Sequence, residues 1–259
     1  MAIITDAISD ALNEDKYLLK FAFYGFPVFF CINFYITKNM FGFYFLGVPT
    51  AIFLLALLSI GIHNLNSNKR EILTFNLFSV FVTIIKMFFA LTPHLIISFT
   101  IGFLITTFVK MPEEIEYLPL AFKCIVWGLL SAITFTCYLA FSKTQEIQSA
   151  YSLKVISEST VSVLVNFIFL IPQLAIVDSV LVGFIWYILF FFHIPYQNPA
   201  FVYYCAIVII FNVSVSSGYF AQVAYESIQS KDEEYKDNYY MKTEVKNDTK
   251  SNNTNYRIR

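Results

Sequence analysis

The sequence predicts an all-helical, polytopic transmembrane bundle of about six spans, and three observations carry that prediction. Of the 259 residues, 58% are apolar and only 14% are charged, whereas soluble domains average about 25% charged. Six segments reach the roughly 20 apolar residues that about 30 Å of hydrocarbon demands of a helix bonding all its own amides. The charge is also segregated: residues 1–226 hold 10 Lys/Arg and 12 Asp/Glu, while the 33-residue tail holds 7 and 6. A net charge of -1 leaves no broad basic face for nucleic acid, so the expected partner is the lipid bilayer.

The chain divides into an amphipathic N-terminal segment (1–17), a helical membrane domain (18–225) and a polar tail (226–259). The tail is rich in Lys, Asp, Asn and Tyr without an apolar period, which predicts disorder. No basic start precedes the first apolar stretch, so that stretch is expected to stay as an anchor. Spans are predicted at 18–37 and 43–62, joined by a turn built on Asn39 and Gly42, then at 80–108, 120–141, 160–192 and 200–224. Two of these runs are long: 29 residues would extend about 43 Å and 33 residues about 50 Å as helix. Each carries one interior proline, Pro93 or Pro172. A kinked or broken helix is predicted at both, with eight crossings as the alternative.

The positive-inside rule favours cytoplasmic termini. With six crossings Lys16, Lys20, Lys69, Arg70, Lys143, Lys154 and the tail lie inside, against Lys38, Lys110 and Lys123 outside. A phenylalanine-, isoleucine-, asparagine- and lysine-rich vocabulary suits a bacterial inner membrane, which makes a multi-pass cell-membrane location the expectation. Aligning Pro93 with Pro172 superposes two long runs at an offset of 79 residues, a faint sign of duplicated architecture of the kind transporters use.

Few residues offer chemistry. Asp178 is the acidic residue deepest in an apolar run, and intramembrane carboxylates are functional candidates by default. The competing reading puts it at a helix break or at headgroup level, capping a turn, and the over-long run favours that. Lys86, near a helix end, is expected to snorkel rather than pair with Asp178. His94 follows Pro93 directly and is expected to bond a carbonyl freed there, the alternative being a proton carrier. His63 and His193 read as interface residues. No histidine pair has zinc-binding spacing, and Cys31, Cys124, Cys137 and Cys205 lack CxxC spacing and read as small buried hydrophobes, so neither metal nor cofactor is expected. Glu113, Glu114 and Glu116 read as a solvated loop.

The polar segment 142–158 carries Ile147, Ala150, Tyr151, Leu153, Val155 and Ile156 at near-helical spacing among Lys143, Gln145, Glu146, Gln148, Lys154 and Glu158. This predicts an interfacial amphipathic helix, with Lys143, Glu146, Tyr151 and Lys154 as a partner-binding surface. The opening ITDAISDALNEDKYLLKFAFYGFPVF and the stretch YLAFSKTQEIQSAYSLKVISE resemble a prokaryotic multi-pass membrane domain family of unknown function, in outline from Ile4 to Ser227. In that family an amphipathic segment, matched here by Gln148, Ser149, Ala150, Tyr151 and Ser152, precedes the last long apolar region; the family's glycine-rich second span is missing. The resemblance implies no reaction, substrate or catalytic residue. The function expected is therefore non-enzymatic: a permease-like or assembly subunit that binds a protein partner or its own copy. The alternatives are a small-solute or proton-coupled transporter using Asp178 and His94, and a lipid-modifying enzyme.

Overall fold

The computed structural model describes residues 2–69, 71–109, 117–195 and 197–228. The glutamates 113, 114 and 116, Lys110, Arg70 and the tail beyond 228 lie outside the described residues. The order of elements is α1 (Ile4–Leu12), α2 (Tyr17–Ile36), α3 (Met40–Asn66), α4 (Leu77–Phe108), α5 (Leu118–Thr144), a 3-10 turn (Ile147–Tyr151), α6 (Leu153–Phe191) and α7 (Pro199–Ser227). Among the described residues, α2 to α7 are the six helices long and apolar enough to cross a membrane. The chain is therefore an all-helical, six-span bundle of the multi-pass membrane type.

Local chemistry explains the ends. Asn39 caps α3 by accepting from the Gly42 amide (3.0 Å), and Asn76 caps α4 through Ser79 (3.2 Å). Lys38, Asn68, Gln145 and His193 adopt left-handed backbone just beyond helices, where a turn of that hand satisfies the last carbonyls. Gly42 is thus not the turn former at 37–39: its absent side chain lets the Phe34 ring approach, since a Cβ would sit 3.1 Å from it.

Pro93 and Pro172 both lie inside unbroken helices, α4 with 32 residues and α6 with 39. No break occurs at either proline, and no second hairpin forms. A proline removes the donor to the carbonyl four residues back. At Pro93 that carbonyl belongs to Phe89, and the Tyr151 hydroxyl donates to it across 2.8 Å, which supplies the missing bond from another element.

Hydrogen bonds place the ends of the helices on two faces. His63 near the end of α3 meets the Lys143 carbonyl at the end of α5, Thr83 near the start of α4 meets Gln145 just past α5, and Ser159 near the start of α6 meets Ser227 at the end of α7. All of these, with the start of α2, share one end of the bundle, here the N-terminal face. Burial follows the same polarity. The core of Phe21, Tyr24, Leu57, Val80, Ala206 and Ile210 joins α2, α3, α4 and α7, and the buried residues of α3 and α5 cluster toward the ends that lie at this face.

Helix α7 is the central post, packed against α1, α2, α3, α5 and α6. Small residues allow the approach: a Cβ on Gly61 would lie 2.7 Å from Ser217 Oγ, and one on Gly218 would lie 3.0 Å from Ala7. Within the expected N-terminal segment 1–17, α1 is accordingly docked on the bundle, with Ala7 and Ala11 fully buried and Gln222 of α7 accepting from the Ile3 amide (2.8 Å). Cys31 and Cys137 are buried, as expected, but Cys205 is half-buried and Cys124 faces outward. An apolar thiol is tolerated there because the outward face of a membrane helix meets lipid rather than water.

Candidate functional site

Three polar groupings emerge from the packing. The expected intramembrane trio of Asp178, His94 and Lys86 is not among them, because each of the three has a different partner. Lys86 donates to the Gln145 carbonyl (3.4 Å) at the end of α5, where a cation meets the negative end of the helix dipole. His94 stacks on the Tyr151 ring at 5.0 Å, and its Nε2 is buried without a hydrogen-bond partner. It does not bond the carbonyl freed by Pro93; Tyr151 reaches that group first.

Asp178 belongs to the first grouping, the seam between α6 and α7. Its Oδ1 accepts from Asn212 Nδ2 at 2.8 Å. Asn212 is the fourteenth of the 29 residues of α7, about 20 Å from either end. Asp178 therefore meets the middle of α7 from within a continuous helix, not from a helix break. The seam is antiparallel and carries polar rungs along its length. Ser162 meets Ser227 at 2.9 Å, the Tyr219 hydroxyl donates to the Asn166 carbonyl at 3.1 Å, and Tyr204 donates to the Leu181 carbonyl at 3.0 Å. Asp178–Asn212 is the only charged rung among these.

The second grouping dismantles the expected amphipathic helix over 142–158. Residues through Thr144 finish α5, Gln145 turns left-handed (φ 59°), a 3-10 turn follows, and Ser152 opens α6. Gln145 faces inward rather than to water: its Nε2 donates to Ser59 Oγ (2.8 Å), while Thr83 donates to its Oε1 (3.3 Å). Lys143 is 7% exposed, with its ammonium 5.8 Å from the centroid of the Tyr225 ring. Ala150 is fully buried. Periodic spacing failed here because the apolar positions belong to two elements with different axes. Of the four expected surface contacts, Glu146, Tyr151 and Lys154 are exposed and Lys143 is not, and the Tyr151 hydroxyl is already committed to Phe89.

The third grouping was not legible as a site. Glu14, in the turn between α1 and α2, accepts three bonds on Oε1: from Lys20 Nζ (2.8 Å) and from the amides of Ile72 (2.9 Å) and Leu73 (2.7 Å). The side chains of Glu14 and Lys20 are 1% and 6% exposed, and Glu71 lies 3.5 Å from the same ammonium. Lys20 also faces the Phe75 ring at 5.6 Å. Burial pushes the Glu14 carboxyl above its ordinary value, with the Lys20 bond and the two amides pulling the other way. In sequence, Glu14 and Lys20 six residues apart look like ordinary flanking charges; the amides that complete the site come from residues nearly sixty positions on.

This is a polytopic membrane protein in which Glu14, Lys20, Lys86 and Asp178 are held in helix-end and interhelical contacts. Among the described residues no group of three His, Cys, Asp or Glu side chains is placed to hold a metal ion. No family model, curated protein or solved structure matches the chain. Function is therefore read from the residues.

Proposed function

We propose that the protein is a non-enzymatic multi-pass membrane subunit that engages a partner inside the bilayer through α6. The observation that supports this most is the environment of that helix. It runs for 39 residues, its most apolar window has no buried residue, and among the described residues its main packing is against α5 and α7. On it sits a carboxylate whose partner is a neutral amide. A helix with one packed side and a carboxylate at the edge of that side is built like half of an interhelical interface. The test is photo-crosslinking in native membranes from single sites on the exposed side of α6, with sites on α2 as control. A defined adduct from α6 alone supports the reading, and adducts to lipid only would sink it.

We place the N-terminal face in the cytoplasm of a bacterial-type cell membrane, since it gathers Lys16, Lys20, Lys69, Lys143 and Lys154. The transporter alternative rests on the Asp178–Asn212 pair alone, because Lys86 and His94 are engaged elsewhere. Under it, Asp178→Asn abolishes pH-dependent flux in vesicles; flux equal to the wild type removes that alternative.

A further inference from the structure

Resting on the subunit reading, we propose that the exposed side of α6 receives a membrane-spanning partner helix bearing a basic side chain at mid-membrane, which forms an ion pair with Asp178. The carboxylate is met by Asn212 through one oxygen, and no cation among the described residues reaches it. Lys20 is held by Glu14, Lys86 by the Gln145 carbonyl, and Lys143 lies by Tyr225. An ionised side chain at this depth is costly unless paired, and intramembrane carboxylates characteristically pair with a basic group. Asn212 fixes the carboxylate's position but brings no charge, and its own Oδ1 is buried without a partner.

The surface beside Asp178 has the shape for a helix. Ile171, Ala175, Ser179, Trp186 and Phe190 recur at intervals of four, four, seven and four, which places them on one stripe of α6, and all are exposed. A Cβ built on Gly183 meets nothing within 4 Å. Small residues over the middle of the stripe let a second backbone come close, and Trp186 stacked on Phe190 (5.7 Å) provides a broad apolar flank toward the far end. Asp178 stands where this stripe borders the α7 seam, so a lysine or arginine on an arriving helix reaches it without displacing Asn212.

The experiment uses the full chain in phosphatidylcholine vesicles and three synthetic single-span leucine-alanine peptides of about 24 residues, identical except for Lys, Gln or Glu at the centre. Association is read by energy transfer from peptide to a fluorophore on the protein. The expected result is that the Lys peptide binds about tenfold tighter than the Gln peptide, the Glu peptide binds weakest, and Asp178→Asn levels the three. The wild-type ranking of peptides alone tests the proposal, so a variant that fails to fold does not leave it open. Equal binding of the Lys and Gln peptides overturns the ion pair while leaving a partner-binding α6 in place. Self-association of the wild type through this stripe, competing out every peptide, also overturns it in favour of a second copy. Absence of any α6 adduct in native membranes sinks the subunit reading itself.

Discussion

Glu14 shows how one residue can tie three segments together. Its carboxylate joins the turn before α2, the ammonium of Lys20 and the loop that leads into α4. Glu14→Ala strands a buried ammonium and two amides, for which about 3–5 kcal/mol of destabilisation is expected. Glu14→Gln keeps an acceptor and should cost less, and detergent-unfolding midpoints of the two variants check the order. The sign of its pH dependence follows from its environment. Its folded-state value is raised above the ordinary 4.5, so the proton is held more tightly folded than unfolded. This contribution to stability is full below the unfolded value and is lost as pH rises through the folded one. An infrared carboxyl band absent from Glu14→Gln should therefore disappear with a midpoint above 4.5; a midpoint at or below that value contradicts the assignment. Tyr151 is a second single-residue joint. Tyr151→Phe leaves the Phe89 carbonyl, already deprived of a donor by Pro93, without its external bond, and about 1 kcal/mol of lost stability is expected in the same assay.

At the scale of the element, α6 and α7 form an antiparallel pair in one register from Ser162–Ser227 through Asn166–Tyr219 to Asp178–Asn212. Asn212→Leu removes the amide that bonds the Asp178 carboxylate and should cost about 1–2 kcal/mol, read as an earlier unfolding transition. No change would mean that the seam is held by apolar packing alone. The span predictions at 18–37, 43–62, 80–108, 120–141, 160–192 and 200–224 each fall on one of α2 to α7, because hydropathy summed over a helix length is a local property. Pro93 and Pro172 proved weaker breakers than their run lengths suggested, since a neighbouring hydroxyl can replace the bond lost at Pro93. Segment 142–158 was misread for the opposite reason, as apolar spacing carries no mark of where one helix axis ends and another begins.

For the molecule as a whole, the bundle is polarised along its axis. Polar networks at Glu14, Gln145 and Ser159 and the large aromatic-aliphatic core gather toward the N-terminal face, while the far halves of α4 and α6 leave Phe99, Phe103, Phe184 and Phe190 exposed. Cysteines placed at Gln148 and Gln197 in a cysteine-free background should label from opposite sides of intact membranes, with Gln148 cytoplasmic. Labelling of both from one side would refute six crossings. The all-helical, six-span architecture was determined by the sequence alone, because a chain this apolar must bond its backbone within each crossing, and each crossing is visible in about 20 consecutive residues. Which side chain meets which was decided only by the tertiary structure. Asp178 finds Asn212 at 34 positions and Glu14 finds Leu73 at 59. Such pairings depend on the rotation and register of whole helices, which small residues such as Gly61 and Gly218 set by letting helices approach, and which no local pattern along the chain records.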